Sequence, residues 1–207
     1  MKRITVLAAS AVACVAASGA AHAIGIGLKA GTTGIGGDVA MSVFPLVDAR
    51  IGWAGGSLSR SYSTSGASYD GKMKLNNLNA LLDFHPLGPT FRLTGGVIFN
   101  DNKYDATGTP SNGVGSLNAS VKGNSAAPYL GVGWGRVAGM GINWYADLGA
   151  MFMGSPKATI NANCSGLSAA QCTTLQNQAA TEQGALQDKI NSFKIYPVLS
   201  IGFTVGF

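Results

Sequence analysis

Residues that could do chemistry are few in this chain, and their spacing argues against catalysis. Beyond the first 23 residues there is one histidine, His85, with Pro86 after it. A Ser/His hydrolase needs a hydroxyl beside the base and an acid to orient that base. No Ser lies near His85 in sequence, so His85 reads as a turn residue and no catalytic residue is assigned. Cys164 and Cys172 are eight apart with no His nearby, which does not imply a metal site. In an oxidising compartment two such thiols are a candidate disulfide, which spacing alone does not prove. The run Gly34-Ile35-Gly36-Gly37 lacks the Lys-Ser/Thr of a phosphate-binding loop, and no cofactor is implied. What does form a pattern is a set of single charges, each set between small or apolar neighbours: Lys29, Asp38, Arg50, Asp83, Arg92, Asp147 and Lys194.

Strands must position these charges. Read backwards from the end, Phe207, Val205, Phe203, Ile201, Leu199, Pro197, Ile195 and Phe193 are all apolar, and the residues between them are mostly small or polar. A period of two over such a length is a strand with one oily and one wet face. Its length exceeds the roughly 9–11 residues a tilted strand needs to cross a bilayer. Ending on an aromatic residue, it resembles the assembly signal of bacterial outer-membrane β-barrels, carried here by Tyr196, Ile201, Phe203, Val205 and Phe207. That resemblance implies recognition by the barrel-insertion machinery.

Composition agrees. Charged residues are 11% of the chain, against about 25% in ordinary soluble proteins. Gly is 30 of 207 residues, about twice the usual share. No apolar run reaches the ~18 residues of a membrane helix, which leaves a closed barrel as the backbone arrangement that satisfies its hydrogen bonds in lipid. Met1–Ala23 reads as a signal peptide: Lys2 and Arg3, an apolar middle, then Ala21-His22-Ala23 as the cleavage site. The net charge of +5 falls to +3 without Lys2 and Arg3, and no basic cluster interleaved with aromatics suggests nucleic acid. Residues 24–207 form one domain.

Eight strands are expected. Ile24, Ile26 and Leu28 alternate with small or polar residues, and after Thr32-Thr33-Gly34 the parity shifts, which a tight turn explains better than a bulge. Later strands put Ile51 and Trp53, Leu78, Leu82 and Phe84, Leu93, Val97 and Phe99, Leu130 and Trp134, and Ile142, Trp144 and Leu148 on the outer face. Residues 57–70 and 105–124 read as polar loops, and Gly135–Gly141 as a short turn. Short turns alternating with longer loops, and aromatics near the short-turn ends, fit an outer-membrane barrel. Residues 167–191 favour helix, with an apolar stripe through Cys172, Leu175, Ala179, Leu186 and Ile190. This helical excursion, on the extracellular side, is either a plain connection or a lid over the barrel mouth. A disulfide Cys164–Cys172 would stitch its base.

Nearly the whole mature chain resembles small proteobacterial outer-membrane proteins of the opacity-protein or OmpA-barrel kind. The resemblance is carried by Lys29-Ala30-Gly31-Thr32, Leu81-Leu82-Asp83-Phe84-His85-Pro86-Leu87-Gly88, Phe91-Arg92-Leu93-Thr94-Gly95-Gly96, Asn100-Asp101-Asn102-Lys103, Tyr129 to Gly135 and Tyr196-Pro197-Val198. It implies an all-β, eight-stranded antiparallel up-and-down barrel in the outer membrane. It brings no function with it.

Parity places all seven charges in the lumen. An eight-stranded barrel is just wide enough for side chains to fill, so one reading is a packed ion-pair core with Tyr129, Tyr145, Asn79 and Thr94 as partners. The other is a narrow gated path for ions or small solutes, whose opening would have to break low-dielectric pairs. The expected role is structural or surface interaction, with outer-membrane lipid as surroundings and polar loops as the part that meets an extracellular ligand or surface. The gated pore is the alternative, and an outer-leaflet lipid-modifying enzyme a minor one.

Overall fold

Hydrogen-bond pairing between strands decides the architecture. The computed structural model describes residues 23–64, 67–110 and 114–207. The expected leader, Met1–Ala23, lies almost wholly outside them. In chain order the elements are β1 (Ile24–Gly31), β2 (Gly34–Phe44), β3 (Val47–Ser63), β4 (Ala67–Phe84), β5 (Phe91–Asn100), β6 (Lys103–Pro110), β7 (Ser116–Lys122), β8 (Ala126–Gly135), β9 (Gly141–Phe152), β10 (Lys157–Asn163), α1 (Ala169–Ile190) and β11 (Ile195–Gly206). Every pairing is antiparallel.

β4 takes three partners. It pairs with β3 throughout, with β5 over Asn77–Phe84, and with β6 over Ala67–Lys74. The ladder β4-β3-β2-β1-β11-β9-β8-β5 therefore returns to β4. β6, β7 and β10 lie outside this circuit, laid side by side on the far half of β4.

The sheet has eleven strands among the described residues, not the eight expected. The extra strands arise where the sequence reads as loop: β3 runs on to Ser63, and residues 105–124 hold most of the β6–β7 hairpin. Period-two hydrophobicity marks a strand only where one face meets apolar surroundings. The far half of β3 and β6 carry Ser, Thr, Tyr and Gly, so that contrast fades.

Side chains in the circuit are distributed inside out. Leu28 is 75% exposed, Ile142 84% and Phe203 61%, while Arg92 and Asp83 are fully buried. β1 and β2 meet at a Thr32-Thr33 turn, with Gly31 opposite Gly34. β1 and β11 close the circuit, and at their outer limit Ile24 N–H donates to Phe207 O, and Phe207 N–H to Ile24 O, both at 3.0 Å.

Residues 136–140 form the expected short connection between β8 and β9, with Arg136 and Met140 exposed but its middle turned inward. Val137, Ala138 and Gly139 are buried, and Val137 and Ala138 pack with Ala40 and Tyr145. The segment folds into the end of the circuit that holds Gly25 and Gly206. Gly25 and Gly206 permit this: a Cβ on Gly25 would collide with the Val137 carbonyl, and one on Gly206 with the Gly139 carbonyl.

α1 opens with a capping box in which Ser168 and Gln171 satisfy each other's backbone N–H. It lies along β10, the free edge of the added strands. Gln187 accepts from Ala158 N–H and Gln183 from Ile160 N–H, each at 2.9 Å. An exposed strand edge invites unwanted pairing, and the two glutamines occupy it. Cys164 and Cys172 are bonded, with Cα atoms 5.3 Å apart, tying the helix's first turn to the chain just past β10.

Candidate functional site

Inward-facing positions of β1, β2, β3, β4, β5 and β9 bring six of the seven expected charges together. Arg50 is the hub. Its Nη1 donates to Asp147 Oδ2 at 2.8 Å, and its Nη2 to Asp83 Oδ1 at 3.0 Å and Asp147 Oδ1 at 3.3 Å. Its Nε lies 3.0 Å from Asp83 Oδ2, and its Nη1 3.8 Å from Asp38 Oδ2. Arg92 donates to Asp147 at 2.5 Å and to the Gly135 carbonyl at 2.7 Å. Lys29 donates to Asp38 at 2.7 Å and Asn79 at 3.0 Å. Tyr145 donates to Asp38, and Thr94 to Asp83 at 2.6 Å. Both guanidinium carbons lie over the Tyr145 ring, Arg50 at 5.6 Å and Arg92 at 5.4 Å, within cation–π range. Three cations face three carboxylates, so the cluster carries no net charge.

Lys194 is a correction. It is exposed and lies one residue before β11 begins. Its parity is inward, but it stands past the end of the ladder and reaches none of the three carboxylates. Of the expected partners, Tyr129 is buried but packs with Leu81, Ile98, Met151 and Val198 beside the ion pairs. On β11, Ile201, Phe203 and Val205 are exposed on the outer face, as is Phe207 just past its end. Tyr196 faces inward, where its hydroxyl donates to the Thr32 carbonyl at 2.7 Å.

A second, smaller cluster was legible only in part. Asp48, inward by the same alternation as Arg50, is buried, accepts from Ser42 Oγ at 2.7 Å, and lies 3.8 Å from His85 Nε2. A Ser, an Asp and the one histidine among the described residues thus meet, but in an unproductive order. In hydrolase triads the histidine stands between hydroxyl and carboxylate so that it can take the hydroxyl proton. Here the carboxylate stands between.

Little space remains inside. A void of about 30 Å³ is lined by Lys29, Arg50, Asn77, Asn79, Tyr129 and Asp147, enough for about one water. Near the far rim, Asn102 Oδ1 accepts from Asn76 N–H and Asn77 Nδ2, both at 2.9 Å, where β4 exchanges β5 for β6. Beyond the rim lies a larger concavity of about 750 Å³, between the added strands and α1. Tyr62, Tyr69, Leu117, Ile160 and Leu175 line it, with Arg60, Asp70 and Glu182 as its charged residues. Its size falls in the range of ligand pockets.

No protein-family model and no curated protein matches the chain. Solved structures do. CarO2 of Acinetobacter baumannii aligns with a TM-score of 0.63 and 23% identity, over 89% of this chain and 98% of its own. CarO of the same organism aligns with 0.60 and 24%, over 88% and 97%. The chain has the CarO fold. A major outer membrane protein from Thermus thermophilus aligns more distantly, with a TM-score of 0.43 and 16% identity over 90% and 98%. These neighbours are outer-membrane β-barrel proteins.

Proposed function

We propose that this chain is an integral outer-membrane protein, a barrel of eight membrane-crossing strands closed to solutes, with no catalysis. Its work on this reading is structural or is done by the surface it presents outside the membrane. The observation that carries it is the inverted distribution of side chains around a ladder with no free edge. Large apolar residues such as Leu28, Ile51, Trp144, Leu148 and Phe203 are exposed, while Arg50, Arg92, Asp38 and Asp83 are buried. Water would disfavour both halves of that arrangement; lipid around the circuit favours it. The fold shared with CarO2 and CarO supports the same surroundings. An opacity-type kinship, export behind a cleaved leader, and recognition of the last strand by the insertion machinery belong to the proposal.

Two features favour a closed barrel over a gated pore. Segment 136–140 fills one end, and the ion pairs fill the middle. The charge balance of the cluster gives no reason to attract one sign of ion. Interaction with an outside molecule is assigned to the 750 Å³ concavity, whose aromatic and aliphatic walls carry one Arg, one Asp and one Glu. The test is the refolded mature chain in a planar bilayer, with heat-dependent migration in SDS gels as the check on folding. A closed barrel gives shifted migration and no stable openings. Stable openings from folded protein would overturn the closed reading, and a water-soluble monomer without the gel shift would overturn the membrane reading.

A further inference from the structure

Strand register sets a row of lysines on the outer face of the sheet. Lys74 of β4 lies directly opposite Lys103 of β6, Lys103 opposite Lys122 of β7, and Lys122 opposite Lys157 of β10. Directly paired residues project to the same side of a sheet. That side is the lipid side: on β4, Lys74 and Lys72 share parity with exposed Leu78 and Leu82, and on β6 Lys103 continues the parity of exposed Phe99. Strands about 4.8 Å apart make the row about 14 Å long.

Its height is fixed as well. Lys74 stands four residues past Leu78, and Lys103 four past Phe99, about 13 Å along each strand. The last row of the apolar band holds Trp53, directly opposite Leu78 and 52% exposed, whose indole N–H reaches toward the lysines and donates to Asn76 at 2.8 Å. An aromatic of this kind marks the boundary between hydrocarbon and headgroups. The lysines follow immediately outside it.

Like charges set opposite one another destabilise a sheet. Five lysines on this face meet three carboxylates: Asp105, engaged by Lys103 at 2.7 Å, Asp101 just below, and Asp70 higher up, which accepts from Ser61 Oγ at 2.5 Å. Among the described residues Lys74, Lys122 and Lys157 have no carboxylate within ion-pair distance. The Lys103 ammonium, helped by Ser120 and Lys74, holds the Asp105 carboxyl below its ordinary range, which shows these side chains converging on one face.

We infer that the row Lys74–Lys103–Lys122–Lys157 binds the phosphate groups of outer-leaflet glycolipid. The inference rests on the membrane-spanning reading above. A basic row outside the membrane boundary fits anionic groups presented at that level and in that plane. A soluble anion would meet the same charges but would have no reason to need them at headgroup height.

The experiment uses the folded mature chain in neutral detergent. It is titrated with bis-phosphorylated lipid A and with the same lipid lacking both phosphates, and bound lipid is counted by native mass spectrometry. Phosphorylated lipid binds at least tenfold more tightly. A lysine beside an anionic surface contributes about fivefold, so K74A/K122A weakens binding by about 25-fold, whereas K74R/K122R and the helix variant K189A stay within about twofold of wild type. Equal binding of the two lipids, or an unchanged K74A/K122A, would overturn the inference. Displacement of bound lipid by millimolar inorganic phosphate would overturn the lipid assignment in favour of a soluble-anion site. Flotation with phosphatidylcholine vesicles free of lipid A separates the two readings: protein that fails to float refutes the membrane-spanning reading, and protein that floats but ignores the phosphates refutes only this one.

Discussion

Removing Arg50 tests whether the interior is a packed core or a gate. Arg50 is 2% exposed and touches Asp83 and Asp147 directly, with Asp38 at 3.8 Å. With charge centres about 4 Å apart and an effective dielectric near 20, each close pair has a gross attraction of about 4 kcal/mol. Desolvation of the ions offsets much of that, so the sum is no measure of the net. What Arg50→Ala leaves behind decides the outcome. Asp147 keeps Arg92 at 2.5 Å, and Asp83 keeps Thr94 at 2.6 Å, but three carboxylates then share Arg92 and Lys29. Breaking a buried pair on one side costs about 3–5 kcal/mol. The assay is urea unfolding in lipid vesicles, followed by fluorescence of Trp53, Trp134 and Trp144. Arg50→Met with Asp147→Asn removes charge on both sides, and contacting residues should couple by about 1–3 kcal/mol. The double variant should therefore be less damaged than its two single changes predict. Should Arg50→Ala unfold within about 0.5 kcal/mol of wild type and conduct ions, the interior is a gate and the packed-core argument fails.

Four further outcomes follow from the geometry. Gly206→Val, whose side chain would run into the Gly139 carbonyl, should expel segment 136–140, making it cleavable by added protease while strand content by circular dichroism persists. Cys164→Ser should cost about 2–3 kcal/mol by the loop-closure relation for a short loop, seen as earlier proteolysis of α1 with the circuit's unfolding midpoint unmoved; intact wild type should resist thiol labelling without reductant. Gln183→Ala with Gln187→Ala should accelerate hydrogen exchange at Ala158 and Ile160 at least tenfold, since both N–H groups lose their acceptors. Burial, with Tyr196 beside it, pushes the Tyr104 hydroxyl up to about 12; because the folded state holds that proton more tightly than the unfolded chain, the stabilisation is intact below about pH 10 and lost as pH rises towards 12, and Tyr104→Phe should abolish this part of the alkaline unfolding profile.

The circuit was legible because its two faces contrast strictly, with large apolar side chains on the outside and the charges within. Alternation along β3, β4, β5, β9 and β11 assigns Arg50, Asp83, Arg92 and Asp147 inward from the sequence alone, and Asp48 could have been found by the same parity. Lys194 shows the limit: parity gives a direction but not the point where the ladder begins. The strands beyond the rim were missed because water on one face and a polar concavity on the other leave little contrast to read. Leu117, Ala119 and Val121, and Ala158, Ile160 and Ala162, do alternate, but over runs too short to stand apart from loop. The short turn at 136–140 falls where the sequence places it, but its burial was not legible, for another reason. Its burial depends on the missing side chains of Gly25 and Gly206, which are more than a hundred and more than sixty residues away.

The two halves of the molecule answer to different physics, and that bears on where function can reside. Inside the circuit the charged groups are committed: three cations to three carboxylates, and Tyr145 to Asp38 and to both guanidiniums. A ligand entering there would have to replace bonds already made, at several kcal/mol for each ion left unpaired. Outside the rim the position is reversed. Arg60 and Glu182 stand on the walls of an open concavity with no ion-pair partner among the described residues, and α1 is held beside it by a disulfide and two glutamines rather than by a large apolar interface. Few such attachments need yield for the helix to shift, so a ligand bound there could be accommodated without touching the interior. Binding that changes the exposure of α1 but leaves the unfolding of the circuit unaltered is the signature this division predicts. Binding that stabilises both together would place the ligand in the lumen instead.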